Sequence, residues 1–138
     1  MKTVIILALF FVAANCAINP AEFSPKLIKL TQELHDTCKS QSNVKDEYIQ
    51  AHKQGNFAVN DITIKKYIAC LWSVSKALDE HLVGDYDFLY SVIPPRVSSY
   101  LVPLYLDCFR QVRLTVPADA PFEEKTFLIN TCIYYRNP

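Results

Sequence analysis

Glycine is almost missing from these 138 residues: Gly55 and Gly84 are the only two. A sandwich or barrel of short strands needs many tight turns, so this scarcity disfavours an all-β fold. Paired cysteines are missing as well. Cys38, Cys70, Cys108 and Cys132 are separated by 31, 37 and 23 residues, which is not the close spacing of a zinc or iron–sulfur site. There is no excess of either charge, with 14 basic and 14 acidic residues. That balance argues against nucleic acid or an anionic membrane as the main partner. Beyond the N-terminus, no apolar run is long enough to cross a bilayer, so no stable membrane insertion is expected.

The N-terminus itself is distinctive. Lys2 precedes Val4–Ala14, an eleven-residue apolar run, and the small residues Ala14, Cys16 and Ala17 follow. This is the layout of a secretory signal peptide, with residues 1–17 cleaved after Cys16 or Ala17 and residues 18–138 forming one domain. Cleavage removes Cys16 and leaves four cysteines. An even number in a secreted chain of about this length reads as two disulfides. Cleavage also leaves 13 basic and 14 acidic residues, a net charge of −1 with histidines neutral. A chain of this size is a single extracellular domain that buries roughly two-thirds of its unfolded surface.

Apolar spacing predicts six helices. Ser24-Pro25 reads as a cap followed by proline at the first helical position, and Leu27, Leu30, Leu34 and Cys38 then fall on one stripe. A second helix is expected from about Val44 to Gln54, capped by Ser42 or Asn43 and ended by Gly55. Asn60 or Asp61 opens a third, along which Ile64, Ile68, Leu71, Trp72, Ser75 and Leu78 share a face, with Gly84 after its end. Asp85 caps a short fourth helix carrying Phe88, Leu89, Val92 and Ile93. After Pro94-Pro95 a fifth is expected over about Val97–Arg113, with Pro103 kinking it or delaying its start. Asp119-Ala120-Pro121 opens the last, which places Glu123 and Glu124 in its first turn, where the helix dipole favours acids. Its inner face reads as Leu128, Ile129, Cys132 and Ile133. Each of the four cysteines lies on a predicted helix, so the bridges staple helix to helix; spacing alone leaves all three pairings open.

Several segments carry a family resemblance over essentially the whole mature length. They are Gly55-Asn56-Phe57 followed by Asp61, Lys65-Lys66-Tyr67-Ile68-Ala69-Cys70, Ile93-Pro94 ahead of Cys108, and the tail Cys132-Ile133-Tyr134-Tyr135-Arg136-Asn137-Pro138. In these segments the chain resembles the pheromone and general odorant-binding proteins of insects. The resemblance implies a six-helix secreted domain with six cysteines, three residues between the second and third and eight between the fifth and sixth. Here those two missing cysteines fall at Lys66 and Glu123, as in the four-cysteine branch of the family. The pairs then implied are Cys38–Cys70 and Cys108–Cys132. The vacated positions carry opposite charges, so a Lys66–Glu123 salt bridge is a candidate replacement, with two unrelated surface charges as the plainer reading.

The resemblance also implies a compact all-α, disulfide-linked domain enclosing an apolar cavity that carries a small hydrophobic ligand. A cavity forfeits dispersion contacts, and each bridge offsets this by roughly 3–4 kcal/mol for loops of this length. Residues carried over as facing the ligand are Phe57, Ile68, Trp72, Phe88, Val92, Val102, Tyr105, Ile129 and Ile133, with Tyr105 as the phenol that hydrogen-bonds it. Plain core packing is the competing reading for each of these positions. No cofactor, metal or catalytic residue is expected. A haemolymph, salivary or reproductive-gland carrier with the same fold is the alternative use, and contact with a receptor or a second copy is left open.

One enzymatic echo exists. His35-Asp36-Thr37-Cys38 is similar to the H-D-x-C end of the secreted phospholipase A2 helix, but the glycine-rich calcium loop of that chemistry is missing. No two of His35, His52 and His81 have the helical spacing of a zinc site, and all three read as surface residues. A pH switch through them is the alternative to that reading.

Overall fold

The computed structural model describes residues 25–136. The signal-peptide reading of residues 1–17 and the Ser24 cap fall outside these. Six helices account for the fold: α1 (Pro25–Ser42), α2 (Asp46–Lys53), α3 (Ile62–Val74), α4 (Tyr86–Val92), α5 (Pro95–Thr115) and α6 (Phe122–Arg136). Among the described residues there is no strand, and Leu78 and Gly84 form a single isolated bridge. None of the described helices is long and apolar enough to cross a membrane.

Local chemistry explains each boundary. In α1 the buried Leu27, Thr31, Leu34, Cys38 and Ser42 recur every three or four residues, which makes one continuous stripe. Asn43 then turns the chain with a φ of 58°, a conformation asparagine tolerates better than most residues. The Ser42 hydroxyl accepts from Val44 N–H rather than from α2. The N-cap of α2 is Lys45, without a side-chain cap bond, so neither predicted cap serves that helix. A Lys39–Asp46 ion pair at 2.6 Å joins the two helices instead. Gly55 leaves α2 with a φ of 79°, where an L side chain is strained. A Cβ at Gly55 would also run into the Tyr134 ring.

Asp61 caps α3 through Thr63 N–H at 2.8 Å, and Asp85 caps α4 through Phe88 N–H at 2.9 Å. Helix α3 stops at Val74, well short of Gly84. Its apolar periodicity runs on through Leu78 because Leu78 is buried in the same core. The Ser75 hydroxyl captures Ala77 N–H, which competes with helix continuation, and Lys76 adopts a φ of 64°. Asp79 then accepts from the backbone N–H groups of His81 and Val83. Helix α5 begins at Pro95, two residues before Val97, because a proline suits the first helical position. The helix also runs through Pro103, whose side is exposed. On α6 the buried face is Thr126, Phe127, Ile129, Asn130 and Ile133. Leu128, expected inward, is 43% exposed.

Helix α3 is the centre of the fold. It packs against α1 on one side and α6 on the other, while α6 packs against α5 and α4 lies on α5. Two disulfides staple this series: Cys38–Cys70 joins α1 to α3, and Cys108–Cys132 joins α5 to α6. Neither disulfide crosses the α3–α6 seam, so side-chain packing and polar contacts alone hold those two helices together.

Candidate functional site

Three places receive the nine residues singled out from the sequence. Ile68 and Trp72 of α3, Val102 and Tyr105 of α5, and Ile129 and Ile133 of α6 are all at most 2% exposed and share one apolar cluster. Within it the Trp72 ring meets Tyr105 edge-on at 6.1 Å and Phe109 at 5.4 Å. Such edge-to-face contacts fix ring orientation as well as burying area.

The second place is a surface groove between α1 and α4. Phe88 and Val92 form its floor with Leu27 and Leu30, two residues that sequence reasoning assigned only to the α1 stripe. Lys26, Lys29, Glu33 and Ser91 complete the lining of a volume of about 480 Å³. The floor is apolar because the α1 stripe and the inward residues of α4 both contribute to it, and Lys26, Lys29, Glu33 and Ser91 make the rest of the lining polar.

Phe57 lies in the third place, on the loop between α2 and α3. Its ring meets His52 at 5.1 Å, Tyr134 at 5.4 Å, Tyr135 at 5.8 Å and Phe127 at 6.0 Å, each edge-on. The glycine at position 55 lets the loop approach Tyr134 this closely, and the Tyr134 hydroxyl donates to the Gln54 carbonyl at 3.2 Å.

His52 corrects the reading of three surface histidines. It is 2% exposed, and burial pushes its pKa down to about 4, so the ring is neutral near pH 7. It ends a buried polar thread that sequence reasoning missed. Trp72 Nε1–H donates to Asn130 Oδ1 at 2.8 Å, and Asn130 Nδ2 lies 3.1 Å from His52 Nε2. An indole nitrogen only donates, so the oxygen of Asn130 must face Trp72 and its amide nitrogen must face His52. His52 Nε2 is then the acceptor, and the ring proton sits on Nδ1. The signal available in the sequence was an asparagine directly beside Ile129 of the expected inner face. That pattern does not reveal which residues meet it.

His35 is not a lone solvated residue either. Its Nδ1 is 2.8 Å from the Tyr67 hydroxyl, and the two rings meet edge-on. Burial, with smaller contributions from Asp46 and Asp36, raises the Tyr67 pKa and keeps that phenol protonated. The histidine nitrogen is therefore held by a neutral phenol on α3.

Lys66 and Glu123 form no ion pair. The α3–α6 seam is bridged by their neighbours, where Lys65 Nζ contacts both Glu124 carboxylate oxygens at 2.7 and 2.9 Å. The same ammonium lies 5.6 Å from the centroid of the Phe127 ring, a cation–π distance. Lys66 points to solvent, whereas the Lys65 side chain is only 15% exposed.

The described residues form a small all-α domain stapled by two helix-to-helix disulfides, with a buried aromatic interior and an apolar-floored groove at its surface. The PBP/GOBP family profile matches residues 20–135, and the chain belongs to that family of insect odorant- and pheromone-binding proteins. Its members are binding proteins, not enzymes. No curated protein and no solved structure matches the chain.

Proposed function

We propose that this protein is a secreted, reversible carrier of small hydrophobic molecules, an odorant, a pheromone or a similar semiochemical. The observation that carries this reading is the apolar-floored groove at Phe88 and Val92 in a chain of the PBP/GOBP family. Both residues pack against the buried cluster, so a ligand crossing the polar rim meets an apolar floor continuous with the core. In this reading Ile68, Trp72, Val102, Tyr105, Ile129 and Ile133 wall an internal cavity, and Phe57 closes another side. Binding gains roughly 25 cal/mol for each Å² of apolar surface removed from water. A few polar groups then set orientation.

The same reading makes residues 1–17 a leader removed on export and places the chain in the four-cysteine branch. Two disulfides and a seam joined only by noncovalent contacts support that placement. The experiment is displacement of a fluorescent apolar probe from the folded, oxidised protein by long-chain alcohols, esters and terpenoids. Displacement at micromolar concentration is the expected result. Failure of any apolar probe to bind sinks the carrier reading. Expression confined to haemolymph, salivary or reproductive tissue would redirect the carrier away from olfaction without touching its chemistry.

A further inference from the structure

The thread from Trp72 through Asn130 stops at His52, and there a donor is left over. With Nε2 accepting from Asn130, the ring proton is on Nδ1, and Nδ1 is a fully buried atom with no hydrogen-bond partner. A buried orphan donor forfeits the hydration it had in the unfolded chain, and native proteins leave few of them without a reason.

Nothing flanking the ring supplies the missing acceptor. The His52 ring is bordered by Phe57 at 5.1 Å and Phe127 at 5.4 Å, and neither has a side-chain oxygen. An N–H···π contact to Phe57 is a weak substitute. A bound water is held by two to four polar partners, which two phenyl rings do not offer. What fits an N–H donor set among rings is an apolar molecule that carries one acceptor oxygen. Phe57 comes from a loop, so room beside His52 is made by moving one loop side chain rather than a helix.

We infer that His52 Nδ1–H is the donor that selects, among apolar ligands, those bearing an acceptor oxygen such as a ketone, ester or ether. This rests on the carrier reading and deepens it. Asn130 and Trp72 act as positioning residues: they hold the Nδ1–H tautomer and keep the ring from rotating. A hydrocarbon of equal length leaves the donor orphaned and gains nothing from it.

The test is competition of a fluorescent apolar probe by decyl methyl ketone and by dodecane, on the wild type and on His52→Phe. The ratio of ketone affinity to dodecane affinity is expected to fall by about five- to tenfold in the variant, the range of one neutral hydrogen bond. Because His52→Phe also orphans the Asn130 amide, nuclear magnetic resonance of isotope-labelled histidine in the wild type gives an independent reading. The ketone should move the His52 Nδ1–H resonance downfield, and dodecane should not. An unchanged affinity ratio, or a resonance that responds alike to both ligands, overturns the assignment while leaving the carrier intact. If neither compound displaces the probe from a protein that binds it, the assignment falls. If no apolar probe binds at all, it falls together with the carrier reading.

Discussion

Acidification should destabilise this protein through His52, and the size of the effect follows from its burial. The ring is neutral in the folded state, with a pKa near 4 against 6.5 for an unperturbed histidine, and burial alone is the cause. A depressed histidine contributes stability that is complete above the unfolded pKa and is lost as pH falls through the folded one. Between about pH 6.5 and 4 the unfolded chain binds one proton that the native state refuses, so stability drops by roughly 1.4 kcal/mol per pH unit. At pH 4 the accumulated loss is about 3 kcal/mol, a large part of the total for a domain of this size. Urea unfolding at a series of pH values measures it. His52→Gln supplies the reference, because its side-chain oxygen accepts from Asn130 Nδ2 without titrating. Carboxylates contribute the same background to both proteins, so the difference between the two curves isolates the histidine. The wild type should lose about 3 kcal/mol more than His52→Gln between pH 7 and 4. Parallel curves would refute the claim that a neutral, buried imidazole is required.

Other consequences are checked by the same unfolding assay. Trp72→Phe removes the donor to Asn130 and leaves space beside Tyr105 and Phe109, so a loss of about 2 kcal/mol or more is expected. Adding Asn130→Leu should then cost less than it does alone, a coupling that a double-mutant cycle reads. Gly55→Ala places a Cβ at positive φ against the Tyr134 ring, for an expected loss of about 1–2 kcal/mol. Tyr134→Ala in the same chain should recover the steric part and leave the backbone part. The Lys65–Glu124 pair is partly open to solvent on the glutamate side, so its coupling should stay below about 1 kcal/mol and shrink as salt is raised. A coupling comparable to a disulfide would show that the pair does more for the seam than its exposure allows.

Much of the fold was legible because helices announce themselves locally. Asn60 or Asp61 was read as opening α3 and Asp85 as capping α4; the structure selects Asp61, and both aspartates accept a backbone N–H from the first turn of their helix. Gly55 was read as a helix stop, and its left-handed backbone ends α2. Where a local competitor intervened, the reading failed. Ser75 ended α3 early, although apolar periodicity continued to Leu78, because periodicity reports burial and not hydrogen bonding. Pro103 was expected to kink α5 or delay its start, yet α5 already begins at Pro95 and runs through Pro103, which lies on the exposed side.

The candidate site was legible only in part, for a physical reason. A helical stripe says which residues face inward, so Ile68, Trp72, Tyr105 and Ile133 could be named. Facing inward does not say what is met there. Phe88 and Val92 lie in an open groove with Leu27 and Leu30, while Phe57 lies among His52, Phe127 and two tyrosines. The disulfide partners came from a family resemblance, since spacing left three pairings equally open.

Sequence by itself therefore determined the helical class, the caps and stops, the inward stripes and the absence of a close-spaced metal motif, because each depends on residues within a turn or two of one another. The tertiary structure alone decided that His52 is buried and neutral, that Asn130 links it to Trp72, and that the seam is closed by Lys65 and Glu124 rather than by their neighbours. These contacts join residues 58, 59 and 78 positions apart. Such separations are bridged only when α3 settles between α1 and α6, and a one-residue change in that register selects a different pair of side chains.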